Sequence, residues 1–265
     1  MSQTFGITGK NKICDFAHNT FKNDLGGIFM SGKKKEELEK ENEQNQQIEE
    51  MGQITLDANQ EQHRVELLTI IGEVEGHESA PSHSKTTKYE HVLPKLALIE
   101  DDKRVDGLLI LLNTVGGDVE AGLAIAEMIA SLSIPTVSLV LGGGHSIGVP
   151  MAVSADYSFV VPSATMVIHP VRSNGMFIGV AQTYRNMEKI QDRITAFVSG
   201  HSRITQKRLE ELMLDTSQLV KDVGTMLEGK EAVEEGLINE VGGIKEAMEK
   251  LHRLIEEKEK KATTK

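Results

Sequence analysis

Cysteine is nearly missing from this sequence: among 265 residues there is one, Cys14. A single thiol excludes an intrachain disulfide and a cysteine-based zinc cluster, and nothing points to an oxidising compartment. Basic charge is also in deficit. Lys and Arg number 29 against 40 Asp and Glu, a net charge of -11. That balance argues against general nucleic-acid binding, which needs a basic face to neutralise phosphate. No apolar run approaches the roughly 18–20 residues of a membrane span. The first residues lack the basic-then-apolar order of a signal peptide. The expectation is a cytosolic, acidic, soluble protein. Nucleotide motifs are missing too. No Gly-Lys-Ser/Thr phosphate loop and no Gly-x-Gly-x-x-Gly fingerprint is present.

What is present divides the chain unequally. Residues 1–30 show no sustained period. Residues 33–50 are charge-rich and hold only Leu38 and Ile48 as large apolar groups, so they cannot bury a core of their own. Residues 1–51 are therefore read as a charged, flexible extension. Residues 52–252 are read as the folded domain and 253–265 as a charged tail. Within the domain, Val65 to Ile71 is β-branched and apolar, a strand ending at Gly72. Tyr89 to Glu100 has helical spacing. Gly107 to Asn113 is a continuous apolar run, as expected for a strand covered on both faces. A turn at 114–118 leads into a helix that Pro135 ends. Thr136 to Leu141 is the next strand, 142–146 the next turn, and 147–155 a buried helix. Short strands follow at 157–161 and 165–168, then a long amphipathic helix over 179–199 and a helix over Ile204–Leu214. Strands alternating with helices through glycine-rich turns give an α/β domain with a mostly parallel sheet. Its active crevice should lie beyond the carboxyl ends of the strands.

Four motifs fall at such places. Asn113-Thr-Val-Gly-Gly-Asp118 lets backbone approach a ligand closely, or merely starts a helix with Asp118 as its cap. In Gly142-Gly-Gly-His-Ser-Ile-Gly148 a serine sits between glycines on a sharp strand-to-helix turn, the geometry of a nucleophile elbow. The plainer alternative is that Ser146 caps the helix. Met166-Val-Ile-His169-Pro170 ends an apolar strand with a histidine, placed to face the elbow or serving structure alone. Asp222, before Val-Gly-Thr-Met-Leu, could orient that histidine or be a surface turn residue. A serine needs a base, the base needs an orienting carboxylate, and an oxyanion needs backbone donors. This chain offers each in a separate turn.

Asn-x-x-Gly-Gly-x-x-x-x-Gly-x-x-Ile, Gly-x-x-Ser-x-Gly, Ile-His-Pro and Glu-Ala-x-x-x-Gly-Leu-Ile occur in that order over roughly residues 60–250. The series resembles the ClpP family of self-compartmentalised serine peptidases. Within it, the series is most similar to a translocation-enhancing group from endospore-forming bacteria. The resemblance implies a ClpP/crotonase-like α/β fold with a protruding handle helix over 179–199. It implies Ser146 as nucleophile, His169 as base, and Gly116, Gly117 and Ile147 around the oxyanion. Asp222 is the preferred acid and Asp215 the alternative. The family's ring assembly, typically heptameric, is implied as well, with polypeptide substrates and no cofactor or metal. A Clp-type ATPase partner does not carry over safely, because the extension replaces a short N-terminus. Val115 stands where the family has proline, and His145 where it has a small residue. His145 is read as a second polar group in the pocket or, preferably, a tolerated bulky neighbour. The expected function is a serine endopeptidase in protein turnover, secretion or spore formation and germination. Two rivals stand beside it: a crotonase-like acyl-CoA enzyme, and a non-catalytic scaffold aiding translocation. A Ser-Lys peptidase is disfavoured because no lysine lies between Asp106 and Tyr184.

Overall fold

The structure, a computed structural model, describes residues 54–56, 63–81, 83–173, 179–217 and 223–263. The expected extension over 1–51 and the candidate acid Asp222 lie outside the described residues.

The strands are β1 (Ile54–Leu56), β2 (Val65–Glu75), β3 (Thr86–Lys88), β4 (Gly107–Gly117), β5 (Thr136–Gly144), β6 (Tyr157–Val160), β7 (Thr165–Ile168), β8 (Thr225–Glu228) and β9 (Glu240–Val241). The helices are α1 (Tyr89–Asp101), α2 (Val119–Ala130), α3 (Gly148–Val153), α4 (Val180–Gly200), α5 (Gln206–Met213), α6 (Gly229–Glu234) and α7 (Ile244–Thr263). The sheet runs β1-β2-β4-β5-β6-β9, with β3 beside β2 and β7 joining β5 to β8. Pairing is parallel except for β1–β2 and β7–β8.

The period-2 alternation of β4 explains its unbroken apolar run. Leu108, Ile110 and Leu112 face the larger core, which holds buried side chains of α1 to α5. Leu109 points the other way, into a second core with Val65, Val137, Leu139 and Phe159 that α7 covers through Ala247, Leu251 and Ile255.

Several boundaries differ from expectation. β2 does not end at Gly72. The glycine takes φ +81 at a register shift, and pairing with β4 resumes to Val74. The presumed turn at 114–118 is mostly strand, because Gly116 and Gly117 still pair with Glu73 and Val74. β5 likewise continues to Gly144, where it pairs with Thr114. α2 stops at Ala130, where the Ser131 amide donates back to Glu127, so Pro135 comes after the helix has ended. The helix expected over Ile204–Leu214 spans Gln206–Met213, with Thr205 as its cap. Residues 253–263, read as tail, continue α7, and Ile255 is 2% exposed against Gly107. No helix among the described residues is long and apolar enough to cross a membrane.

Candidate active site

Three strand ends converge at the carboxyl edge of the sheet. β5 leaves the sheet at Gly144. The His145 amide donates to Thr114 O of β4 (3.2 Å), and the Ser146 amide donates to Val167 O of β7 (2.8 Å). Ser146 is thereby held at φ 57, the one non-glycine residue with positive φ among the described residues. Such a conformation costs about 1–3 kcal/mol and persists only where the surroundings enforce it. Gly148 N donates to His145 O and Val149 N to Ser146 O, closing the elbow into α3. The N-cap of α3 is Ile147, with no side-chain cap bond. Ser146 therefore does not cap the helix. It lines a cavity instead.

Behind Ser146 lies the end of β4. A Cβ on Gly116 (φ +94) would sit 2.7 Å from Ser146 Cβ, and one on Gly117 (φ +148) 2.2 Å from Val74 O. Both positions therefore require glycine. The Gly116 amide donates to Thr114 Oγ1 (3.0 Å), and that hydroxyl donates to Gly72 O. Thr114, unremarked in the sequence, thus fastens the glycine turn. Asp118 has the plain role weighed for it: its Oδ1 accepts the Ala121 amide (2.8 Å) at the start of α2. Ile147 precedes the first intrahelical bonds of α3, so its amide belongs to the helix-start donors that lack intrahelical acceptors.

His169 follows β7. In the β7–β8 ladder Ile168 pairs with Thr225, and Gly224 comes next. A Cβ on Gly224 would lie 2.4 Å from Ile168 O and 2.9 Å from His169 Cβ, so its backbone packs directly against the base of the His169 side chain. The Gly224 amide donates to Asp215 O (2.9 Å). The Asp215 carboxylate accepts the amide and hydroxyl of Ser217 (2.7 and 2.9 Å). Those bonds, the Ser217 amide first, hold it below the ordinary aspartate range.

Ser146, His169, Gly117 and Ile147 line one cavity of about 140 Å³, walled by Ile168, Ile194, Val198 and Met213. His169 Nδ1 lies 2.7 Å from Pro170 O. A carbonyl only accepts, so Nδ1 carries the proton and the Nε2 of the neutral ring is bare. Burial pushes the pKa of His169 down, the Pro170 bond opposes this, and the charge of Arg172, also at the cavity, pushes the same way as burial. His145 is not among the cavity-lining residues. Its Nε2 is 2.8 Å from Thr165 Oγ1, and burial, then His169, lower its pKa. An alternation of Thr165, Val167 and His169 along β7 was the available sequence signal for that contact.

With this geometry in view, comparison with known proteins is specific. The Clp protease family model matches residues 77–245. The translocation-enhancing protein TepA of Halalkalibacterium halodurans is 53% identical over 214 residues, covering 81% of this chain and 83% of that protein. The ATP-dependent Clp protease proteolytic subunit of Lactococcus lactis is 28% identical over 160 residues, 57% of this chain and 74% of that protein. A solved ClpP1 mutant from Listeria monocytogenes shares the fold, with a TM-score of 0.56 at 20% identity over 68% of this chain and 93% of that one. The family model spans well over half of the chain, and a relative with more than half its residues identical covers most of it: the chain belongs to the Clp protease family.

Proposed function

We infer that this chain is a serine endopeptidase of the ClpP type. The observation that carries the reading is the strained elbow at Ser146, which shares one cavity with a histidine whose Nε2 is unprotonated. Ser146 Oγ attacks a peptide carbonyl while His169 Nε2 takes its proton and later returns it to the leaving amine. The amides of Gly117 and Ile147 receive the oxyanion. Gly116, whose amide is already given to Thr114, shapes the turn against Ser146. The apolar walls favour an apolar substrate side chain beside the scissile bond.

The acid is Asp215 or Asp222. In support of Asp215, its carbonyl accepts the amide of Gly224, which packs against His169. Asp222, preferred on sequence, precedes that glycine by two positions. Engagement of either carboxylate replaces the Pro170 carbonyl as the acceptor for Nδ1.

Polypeptides are the substrates, and the chain assembles with copies of itself into a ring in the cytoplasm. The first turns of α4, with Val180 80% and Tyr184 63% exposed, support the assembly. Protein turnover and secretion are the settings that the relatives' names suggest, and spore development is a setting that the family resemblance implies. A non-catalytic scaffold is the second reading. It is favoured by one observation, the commitment of His169 Nδ1 to a carbonyl rather than a carboxylate.

Hydrolysis of casein and of fluorogenic peptides by wild type, Ser146→Ala, Asp215→Asn and Asp222→Asn separates these readings. Ser146→Ala should lose roughly 10³-fold or more. The asparagine variant of the true acid should lose about 10⁴-fold in kcat, and the other should remain near wild type. An inert wild type supports the scaffold. Full activity of Ser146→Ala excludes the mechanism.

A further inference from the structure

We propose that His145 is a positioning residue for the nucleophile, acting through Thr165. The proposal rests on the serine-peptidase reading and goes beyond it, because it assigns a purpose to the bulky side chain beside Ser146.

Three ties meet at His145. Its amide donates to Thr114 O on the strand that carries the glycine turn. Its carbonyl accepts Gly148 N at the start of α3. Its Nε2 is hydrogen-bonded to Thr165 Oγ1 (2.8 Å) on the strand that ends in His169. The first two are backbone bonds that any residue would make. The third is specific to this side chain. It crosses from the turn after β5 to β7, and among the described residues the two strands pair at Gly143 and Thr165.

The placement matters because Thr165 and Val167 lie on β7, the strand that His169 directly follows. The Gly143–Thr165 pairing and the Val167 carbonyl, which holds the Ser146 amide, tie the backbone on either side of His145 to β7. The His145–Thr165 bond adds a side-chain tie between them and so stiffens the turn that carries Ser146. Ser146 sits at positive φ, a conformation that relaxes when its surroundings loosen. Relaxation would carry Oγ away from His169 and from the Gly117 amide. A small residue at 145, as expected from the motif, could not make this bond. His145 is not among the residues that line the cavity.

The test compares peptide hydrolysis by wild type, His145→Ala, His145→Gln, Thr165→Val and the double variant His145→Ala/Thr165→Val, with melting temperatures for each. Loss of alignment should lower kcat on the order of 10- to 100-fold. KM should stay within about twofold, because the cavity walls are untouched. Thr165→Val should match His145→Ala, and the double variant should lose no more than either, since all three remove one bond. Gln places an amide near the position of Nε2 and should restore most of the rate. Wild-type kcat in His145→Ala overturns the proposal, as does a purely additive double variant. If His145→Ala does not fold, Thr165→Val alone decides by the same kcat criterion. Failure of wild type to cleave any peptide removes the peptidase reading, and the proposal falls with it. An active wild type with an indifferent His145 removes the proposal alone.

Discussion

The pKa of His169 is held below the ordinary imidazole range, and the cause is local. Burial lowers its pKa and Arg172 adds to the effect, so the bond to the Pro170 carbonyl offsets them only in part. An unfolded imidazole titrates near about 6.5. The folded His169 accepts its proton only at lower pH, so the base form needed for catalysis survives below that value. The expected kcat/KM profile rises with pH and levels off with a midpoint below about 6.5. A midpoint above 7, or a flat profile from pH 5 to 8, contradicts this. The same shift acts on stability with a defined sign. Above about pH 6.5 neither state binds the proton and the contribution is complete; below it the unfolded chain binds protons first and stability falls. His145 and His252 are shifted in the same direction, chiefly by burial, so melting temperature should drop as pH falls from 7 towards 5. At this scale the sequence singled out Ser146 and His169, which the structure places on one cavity, because a glycine-flanked serine and a strand-end histidine are local patterns. Thr114, Thr165 and Gly224 escaped it, because their importance arises only where separate strands meet.

The elements show where local pattern stops being sufficient. β4 was legible from its unbroken apolar run, since a strand buried on both faces has few alternatives. Its continuation through Gly116 and Gly117 was not. Glycines read locally as a turn, yet both still pair with β2, at positive φ, and carry the β4 backbone to the elbow. The end of α7 was hidden for a similar reason. Residues 253–265 are dominated by charge, with Leu254 and Ile255 as their large apolar groups, and of these Ile255 is fully buried. That side chain packs in the second core with Val65 and Leu109 and lies against Gly107. Ile255→Ala should therefore cost about 2–5 kcal/mol in urea unfolding, with m unchanged. A loss below roughly 0.5 kcal/mol, the range of ordinary surface changes, would show that the last turns of α7 contribute nothing to the core.

At the scale of the whole molecule, the two cores draw on residues from Val65 to Ile255, on opposite faces of one sheet. The order of strands and helices made the α/β class readable, and four motifs in register made the family readable. Strand order was not readable, because pairing such as β7 between β5 and β8 depends on contacts distant in sequence. Deletion of residues 1–50 should leave a cooperatively folding domain whose melting temperature lies within about 3 °C of the full chain. A shift of that size corresponds to less than about 1 kcal/mol for a domain of this length. A drop of 10 °C or more would mean that the segment's scattered aromatics belong to the core. The central claim is that Ser146 is an activated nucleophile served by His169. The most direct measurement is reaction of the full-length protein with a fluorophosphonate, read by intact mass and peptide mapping. The account predicts one adduct per chain, located on Ser146, absent from Ser146→Ala and formed at least about 100-fold more slowly by His169→Ala. No adduct on the folded wild-type protein, or an adduct that persists in Ser146→Ala, would contradict it.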